Sequence, residues 1–288
     1  MLERFLKRTE FTSLEDFREN FEIIAPDNFN FAYDVVDAWA AEAPDKLAML
    51  WTNDEGAEQR YTFADIKEQS DKVASFFLQL GIKRGDCVMM MLKRRVEFWF
   101  TIVALHKIGA VAIPATHLLT PKDLIYRNNS AGIRMIVAAN DELIIQHVND
   151  SLSQSPTVEF LVSTGSYSEG HWHSMDKGIA EAPVFVKPEF VNNNSDISLL
   201  YFTSGSSGQP KMVAHNFLYP LGHIVTAKYW HNVHQNSLHL TVADTGWGKA
   251  VWGKLYGQWI VGAAVFVYDH EKFTPADILA VMAKYRVT

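Results

Sequence analysis

The chain reads as an α/β fold, with helices on both faces of mostly parallel sheets. Three observations predict it. Short apolar runs alternate with amphipathic stretches of helical period, turn and cap residues fall between them, and no internal repeat interrupts the alternation.

Residues up to about Asn28 form a polar, partly helical arm, and helix resumes over 33–41. Runs 46–52 and 59–63 flank Asn53, Asp54, Glu55 and Gly56, a strong turn signal that predicts a hairpin. From Phe63 to Leu80 the apolar residues Phe63, Ile66, Val73, Phe76, Phe77 and Leu80 recur at helical spacing, and Gly81 is placed to end the helix. Strand 87–92, helix 96–108 closed by Gly109, strand 111–114, helix 121–129, strand 135–139, helix 142–152 and strand 158–163 follow. Residues 165–194 carry little periodic signal and read as an irregular connection. Beyond them come strand 197–202, an apolar resumption at Met212, Val213 and Ala214, helix 216–229, strand 238–243, helix 247–259, strand 263–268 and helix 275–284.

The most informative stretch lies between two of these strands. Thr203, Ser204, Gly205, Ser206, Ser207, Gly208, Gln209, Pro210 and Lys211 combine four hydroxyls, two glycines and a lysine in nine residues. Glycine lets backbone N–H groups approach a ligand closely, hydroxyls donate to phosphate oxygens, and Lys211 adds a mobile point charge. That chemistry suits a polyphosphate and points to ATP. A flexible Gly/Ser connector is the alternative, but a connector is not normally clamped between apolar strands. Nor is the stretch a Walker A loop, because Gln209 and Pro210 separate Gly208 from Lys211 and no helix opens there. No G-x-G-x-x-G follows the early strands, which argues against a dinucleotide fold.

Bulk properties narrow the field. At 288 residues and 48% hydrophobic content, a chain buries about 75% of the surface its unfolded form exposes. Lys plus Arg at 26 against Asp plus Glu at 33 gives a net charge of −7 without a basic stripe, so nucleic acid is not an expected partner. The single cysteine, Cys87, sits in an apolar run, cannot form an internal disulfide and is a poor candidate nucleophile. The N-terminus lacks the hydrophobic stretch of a signal peptide, and no apolar run reaches the ~18 residues of a membrane span. A cytoplasmic protein is the expectation. His171 with His173, and His231 with His234, lack carboxylate or cysteine partners at ligand spacing, so they read as surface or capping residues and no metal site is expected.

A second chemical stretch is Asp244, Thr245, Gly246, Trp247, Gly248 and Lys249. Asp244 and Thr245 stand where side chains cap a helix start. Trp247 and Trp252 beside Gly246, Gly248 and Gly253 make an apolar wall with space for a ligand, against the alternative that these indoles only pack the core. Lys249 either meets a substrate carboxylate or extends to solvent. Trp51, Trp99, Trp230 and Trp259 are assigned to packing.

The loop at 203–211 resembles the phosphate-binding signature of the adenylate-forming (AMP-binding) superfamily, which comprises acyl-CoA synthetases, luciferases and peptide-synthetase adenylation domains. Further likeness is to the short- and medium-chain acyl-CoA synthetase or acetyl-CoA synthetase branch. It is carried by Phe29, Asn30, Phe31 and Ala32 before Asp34, Val35, Val36 and Asp37, and by Arg84, Gly85 and Asp86. Asp123, Leu124, Ile125, Tyr126 and Arg127, Met212, and Asp244 to Trp247 extend it. The resemblance implies two lobes of an N-terminal domain, approximately 30–70 with 195–288 and 71–190. It implies activation of a small carboxylic acid by MgATP to an acyl-adenylate, then transfer to coenzyme A. On that reading Thr203, Ser204, Gly205, Ser206, Ser207, Gly208 and Lys211 hold ATP phosphates, while Trp247, Gly248, Trp252 and Lys249 form the acyl pocket.

The family's Tyr-Gly-x-Thr-Glu segment, whose Glu helps hold Mg²⁺, its ribose-binding Asp and its C-terminal domain with the adenylation lysine have no match here. The expectation is therefore an N-terminal portion of a longer enzyme, with no catalytic residue in this chain and little or no acyl-CoA formed by it alone. Ala115 follows Pro114 where the branch often has Pro-Gly, and Lys249 favours a short, branched or polar acid over a long one. A peptide-synthetase or luciferase-type activity, and a non-catalytic nucleotide-binding module, stay open as alternatives.

Overall fold

The computed structural model describes residues 1–204 and 208–288. Eleven strands are found among them: β1 Leu47–Asn53, β2 Glu58–Thr62, β3 Cys87–Met91, β4 Val111–Pro114, β5 Ile133–Ala138, β6 Phe160–Ser163, β7 Trp172–Ser174, β8 Ile197–Thr203, β9 Lys211–Asn216, β10 Leu238–Leu240 and β11 Ala264–Asp269. They build two sheets, a seven-stranded one in the order β7-β6-β5-β3-β4-β8-β9 and a four-stranded one in the order β10-β11-β1-β2. Every pairing is parallel except the hairpins β1/β2 and β8/β9.

Local chemistry sets the element ends as expected. Thr62 and Asp65 form a reciprocal capping box on helix Phe63–Leu80, which Gly81 closes at φ 99°. Thr120 and Asp123 repeat the device on helix Pro121–Ala131, ended by Gly132 at φ 59°. Helix Glu97–Lys107 is buried on every face from Phe98 onward, as a helix within the core is. Its last residue, Lys107, is buried too; the ammonium bonds Asp37 at 2.8 Å and also contacts Asp71, the pairing a buried charge requires.

Four expectations change. Residues 165–194 are not irregular throughout, for β7 and helix Met175–Glu181 lie there. Both are too short to show a period; β7 is fixed by pairing with β6, and Gly178 lets the helix pack directly on the Phe76 ring. The helix expected over 216–229 starts at Tyr219 and finishes as a π-turn, Val225–Trp230. The helix expected over 247–259 is two, Gly248–Lys254 and Tyr256–Val261, broken at Leu255 with φ −149° and ψ −84°. Trp99 supplies the reason, because its indole N–H donates at 3.0 Å to the Lys254 carbonyl, an acceptor a continuous helix would use four residues on.

The fourth concerns grouping. Residues 197–216 were expected in one lobe with 30–70, yet β8 and β9 pair on β4 in the larger sheet, while β1, β2, β10 and β11 form the smaller one. No helix among the described residues is long and apolar enough to cross a membrane.

Candidate functional site

A cleft of about 740 Å³ opens where β8, β9 and the start of helix Gly248–Lys254 converge. Thr203 and Ser204 enter it from the end of β8, Pro210 and Val213 from the β9 side, Trp247 from the turn before the facing helix, and Gly248, Lys249 and Trp252 from that helix. Pro114, Ala115, Thr116 and Leu119, at and beyond the end of β4, complete the wall. The two stretches singled out in the sequence thus face one space at the carboxyl ends of parallel strands, the usual ligand position in open α/β sheets.

The phosphate-loop residues are placed as follows. Thr203 and Lys211 are register partners across the β8/β9 hairpin, with the Thr203 hydroxyl 3.4 Å from the Lys211 carbonyl. Both are exposed, and Gly208 has φ 89°, a conformation open to glycine. Gly205, Ser206 and Ser207 lie outside the described residues. Tyr126 fixes the far end of the loop, its hydroxyl donating at 2.9 Å to the Pro210 carbonyl.

The facing segment is held from several directions. Arg94 donates to Asp244 at 2.9 Å and to the His270 carbonyl at 2.6 Å. The Thr245 hydroxyl donates to the Lys93 carbonyl, and Lys254 donates to the carbonyls of Ala243 and Thr241 at 2.5 and 3.3 Å. Gly246 packs flat on the Ala115–Thr116 backbone, where a Cβ would overlap main-chain atoms. This differs from the expected capping role, since the helix starts only at Gly248 and has no side-chain cap. Asp244 instead accepts from the Gly246 N–H at 3.0 Å and shapes the turn that delivers Trp247.

Trp247 leaves 60% of its surface exposed and Lys249 is exposed, whereas Trp252 is partly buried, so the indole wall runs inward from the rim. Of the tryptophans assigned to packing, Trp51, Trp99 and Trp259 are buried, but Trp230 is 69% exposed and stacks on Trp252 at 5.7 Å. His231, read as a surface or capping residue, also stacks on Trp252, with centroids 5.0 Å apart.

Several lining residues escaped the sequence reading. Arg127 borders the cleft with its guanidinium 5.3 Å from the centre of the Phe202 ring. His215 and Tyr219 stack at 3.8 Å along the same wall, and burial lowers the His215 pKa. The signal for His215 was strand alternation, since it points with Val213 on β9. Arg127 needed the fold, because only tertiary packing brings helix Pro121–Ala131 beside β8.

Comparison with known proteins decides the family. Residues 36–288 match the family described as AMP-binding enzyme. The chain belongs to that family. This AMP-binding chain is 31% identical over 288 residues to the human mitochondrial acyl-coenzyme A synthetase ACSM3, a match covering 96% of the chain and 48% of that relative. It is 32% identical over 273 residues to ACSM5 of Rattus norvegicus, covering 91% of the chain and 46% of the relative. The crystal structure of an acyl-CoA synthetase from Brucella canis superposes with a TM-score of 0.81 over 92% of the chain and 47% of that structure. At 19% identity, this likeness bears on the fold.

The chain therefore spans about half the length of these relatives. The names ACSM3, ACSM4 and ACSM5 all carry the word mitochondrial, which overturns the cytoplasmic expectation. A lone cysteine and no signal-peptide pattern fit more than one reducing compartment, so they could not separate the two.

Proposed function

We propose that this AMP-binding chain supplies the ATP-phosphate and acid-binding part of an acyl-CoA synthetase acting on short- to medium-chain carboxylic acids. One observation carries the reading: Thr203 and Ser204 share a single cleft with Trp247, Gly248, Lys249 and Trp252. A carboxylate oxygen attacks the α-phosphorus of ATP and pyrophosphate leaves; the thiol of coenzyme A, losing its proton, then attacks the acyl carbonyl and AMP leaves. The protein's part is positioning and charge stabilisation rather than covalent chemistry.

In this reading Thr203, Ser204, Gly205, Ser206, Ser207, Gly208 and Lys211 hold the β- and γ-phosphates. Trp247, Gly248 and Trp252 wall the acyl chain, and Lys249 stands at the rim near the carboxylate. The cleft volume suits an adenylate carrying a modest acyl group. Its described lining offers hydroxyls but no carboxylate for Mg²⁺. No residue of this described lining is assigned as the metal's acidic ligand or as a coenzyme A contact.

Calorimetry with ATP on the chain, on Lys211→Ala and on a Ser206→Ala/Ser207→Ala double variant tests the assignment. Weaker binding in both variants supports it, and unchanged affinity in both removes it. Acid-dependent pyrophosphate exchange by the full-length enzyme, from acetate to octanoate and benzoate, separates an acyl-CoA synthetase from the other adenylate-forming activities.

A further inference from the structure

Trp230 is placed against the usual economy of burial. It leaves 69% of its surface exposed, yet its ring stacks 5.7 Å from Trp252 with 29° between planes. The next residue, His231, stacks on the same indole at 5.0 Å and 17°. Side chains of successive helical residues diverge by about 100°, because an α-helix has 3.6 residues per turn. Two neighbours reach one ring here because the backbone leaves the helix: Val225–Trp230 is a π-turn, and Asn232 follows at φ 55°. Single π-turns of this kind are frequent at functional sites.

The two indoles also border different spaces. Trp252 lines the cleft, whereas Trp230 lines a second cavity of about 520 Å³ between the N-terminal arm, at Phe11 and Phe17, and the π-turn. The stacked pair therefore joins a residue lining one space to a residue lining the other. We propose that Trp230 sets the length of acyl chain the cleft accepts, by holding Trp252 across the end of the acyl pocket. The claim rests on the acyl-pocket reading above and adds a residue outside the cleft to it. Without Trp230 only His231 backs Trp252, the indole can shift, and the aromatic-lined cavity beside Trp230 becomes room for further methylenes, each worth about fourfold in affinity when buried.

The test measures affinities of non-hydrolysable alkyl-adenylate analogues with chains from acetyl to decanoyl for the chain and for Trp230→Ala and Trp230→Phe. Trp230→Ala should raise the octanoyl-to-butyryl affinity ratio by at least tenfold, and Trp230→Phe should keep the parent ratio. Because Trp230 is largely exposed, both variants should melt within a few degrees of the parent, which circular dichroism checks. An unchanged ratio in a folded Trp230→Ala that still binds adenylates overturns the proposal alone. Absence of any adenylate binding by the parent chain overturns the acyl-pocket reading, and this proposal with it.

Discussion

The ammonium of Lys254 donates to the carbonyl oxygen of Ala243 at 2.5 Å from a residue only 2% exposed. It ties the last turn of helix Gly248–Lys254 to the loop after β10 that leads into Asp244 and Trp247. Its second bond, to Thr241, is returned by the Thr241 hydroxyl, which donates to Gly253 at 2.8 Å. Burial is the main influence on its proton, lowering the pKa to about 7; the nearby Arg94 adds to the effect and Asp244 opposes it.

A stability slope follows from that pKa. In the unfolded chain a lysine titrates near ~10.4, so between about pH 7 and 10 the unfolded state binds a proton that the folded state has released. Below the folded pKa both states are charged and the burial penalty is complete; it is relieved as pH rises. The group should therefore add up to about 1.4 kcal/mol of stability per pH unit across this window. Urea unfolding at pH 7.5, 8.2 and 9.0 should show that increment in the parent relative to Lys254→Met. Parallel pH profiles for the two proteins would show that Lys254 keeps an ordinary pKa.

The approach of Gly246 to the Ala115–Thr116 backbone leaves no space for a methyl group. Gly246→Ala forces the turn or the wall to shift, and overpacking of this sort costs about 1–3 kcal/mol. The shift falls one residue before Trp247, so acid affinity should drop together with the melting temperature. A variant as stable as the parent, with unaltered acid binding, would mean that the turn yields freely.

How far the sequence disclosed all this depends on the scale of the signal. Capped helices such as Phe63–Leu80 were legible because Thr62, Asp65 and Gly81 act within a few residues of one another. The cleft was legible in outline, because the residues at 203–204 and 247–252 advertise their chemistry by composition. What remained hidden was decided across long sequence distances. The break at Leu255 depends on Trp99, and the placing of Arg127 on packing beside Phe202. Each is a tertiary competitor overriding a locally plausible pattern, and no local period records it.

Acid should weaken the fold through buried histidines. His106 is 1% exposed and its Nε2 lies 2.9 Å from the Tyr256 hydroxyl; burial lowers its pKa to about 3. An unfolded histidine titrates near ~6.5, so from there down to about pH 3 the unfolded state takes up a proton the folded state refuses. Stability then falls as pH falls. His106→Gln should lower the slope between pH 6 and 4.5 by about 1.4 kcal/mol per pH unit, the linkage of one proton. Equal slopes would place the acid sensitivity in other groups, His223 and His239 first, since burial also holds both at about 4.

Arg127 gives the sharpest test of where phosphate sits. Lys211 is exposed on β9 and lies outside the described cleft wall, so it must swing to reach a ligand. Arg127 already borders the cleft, resting on the Phe202 ring and donating to the Asp123 carbonyl at 3.1 Å, so its charge is fixed in advance. Burial lowers its pKa, but an arginine starts high enough to stay protonated. A pre-placed guanidinium loses little freedom on binding and can grip two phosphate oxygens at once. Arg127→Met should therefore weaken ATP binding about tenfold, some 1.4 kcal/mol, and Arg127→Lys should restore it only in part because an ammonium lacks the fork. AMP, without β- and γ-phosphates, should lose much less. Calorimetry with both nucleotides checks this: equal losses for ATP and AMP would move Arg127 to the nucleoside end of the cleft, and no loss for either would remove it from the nucleotide site.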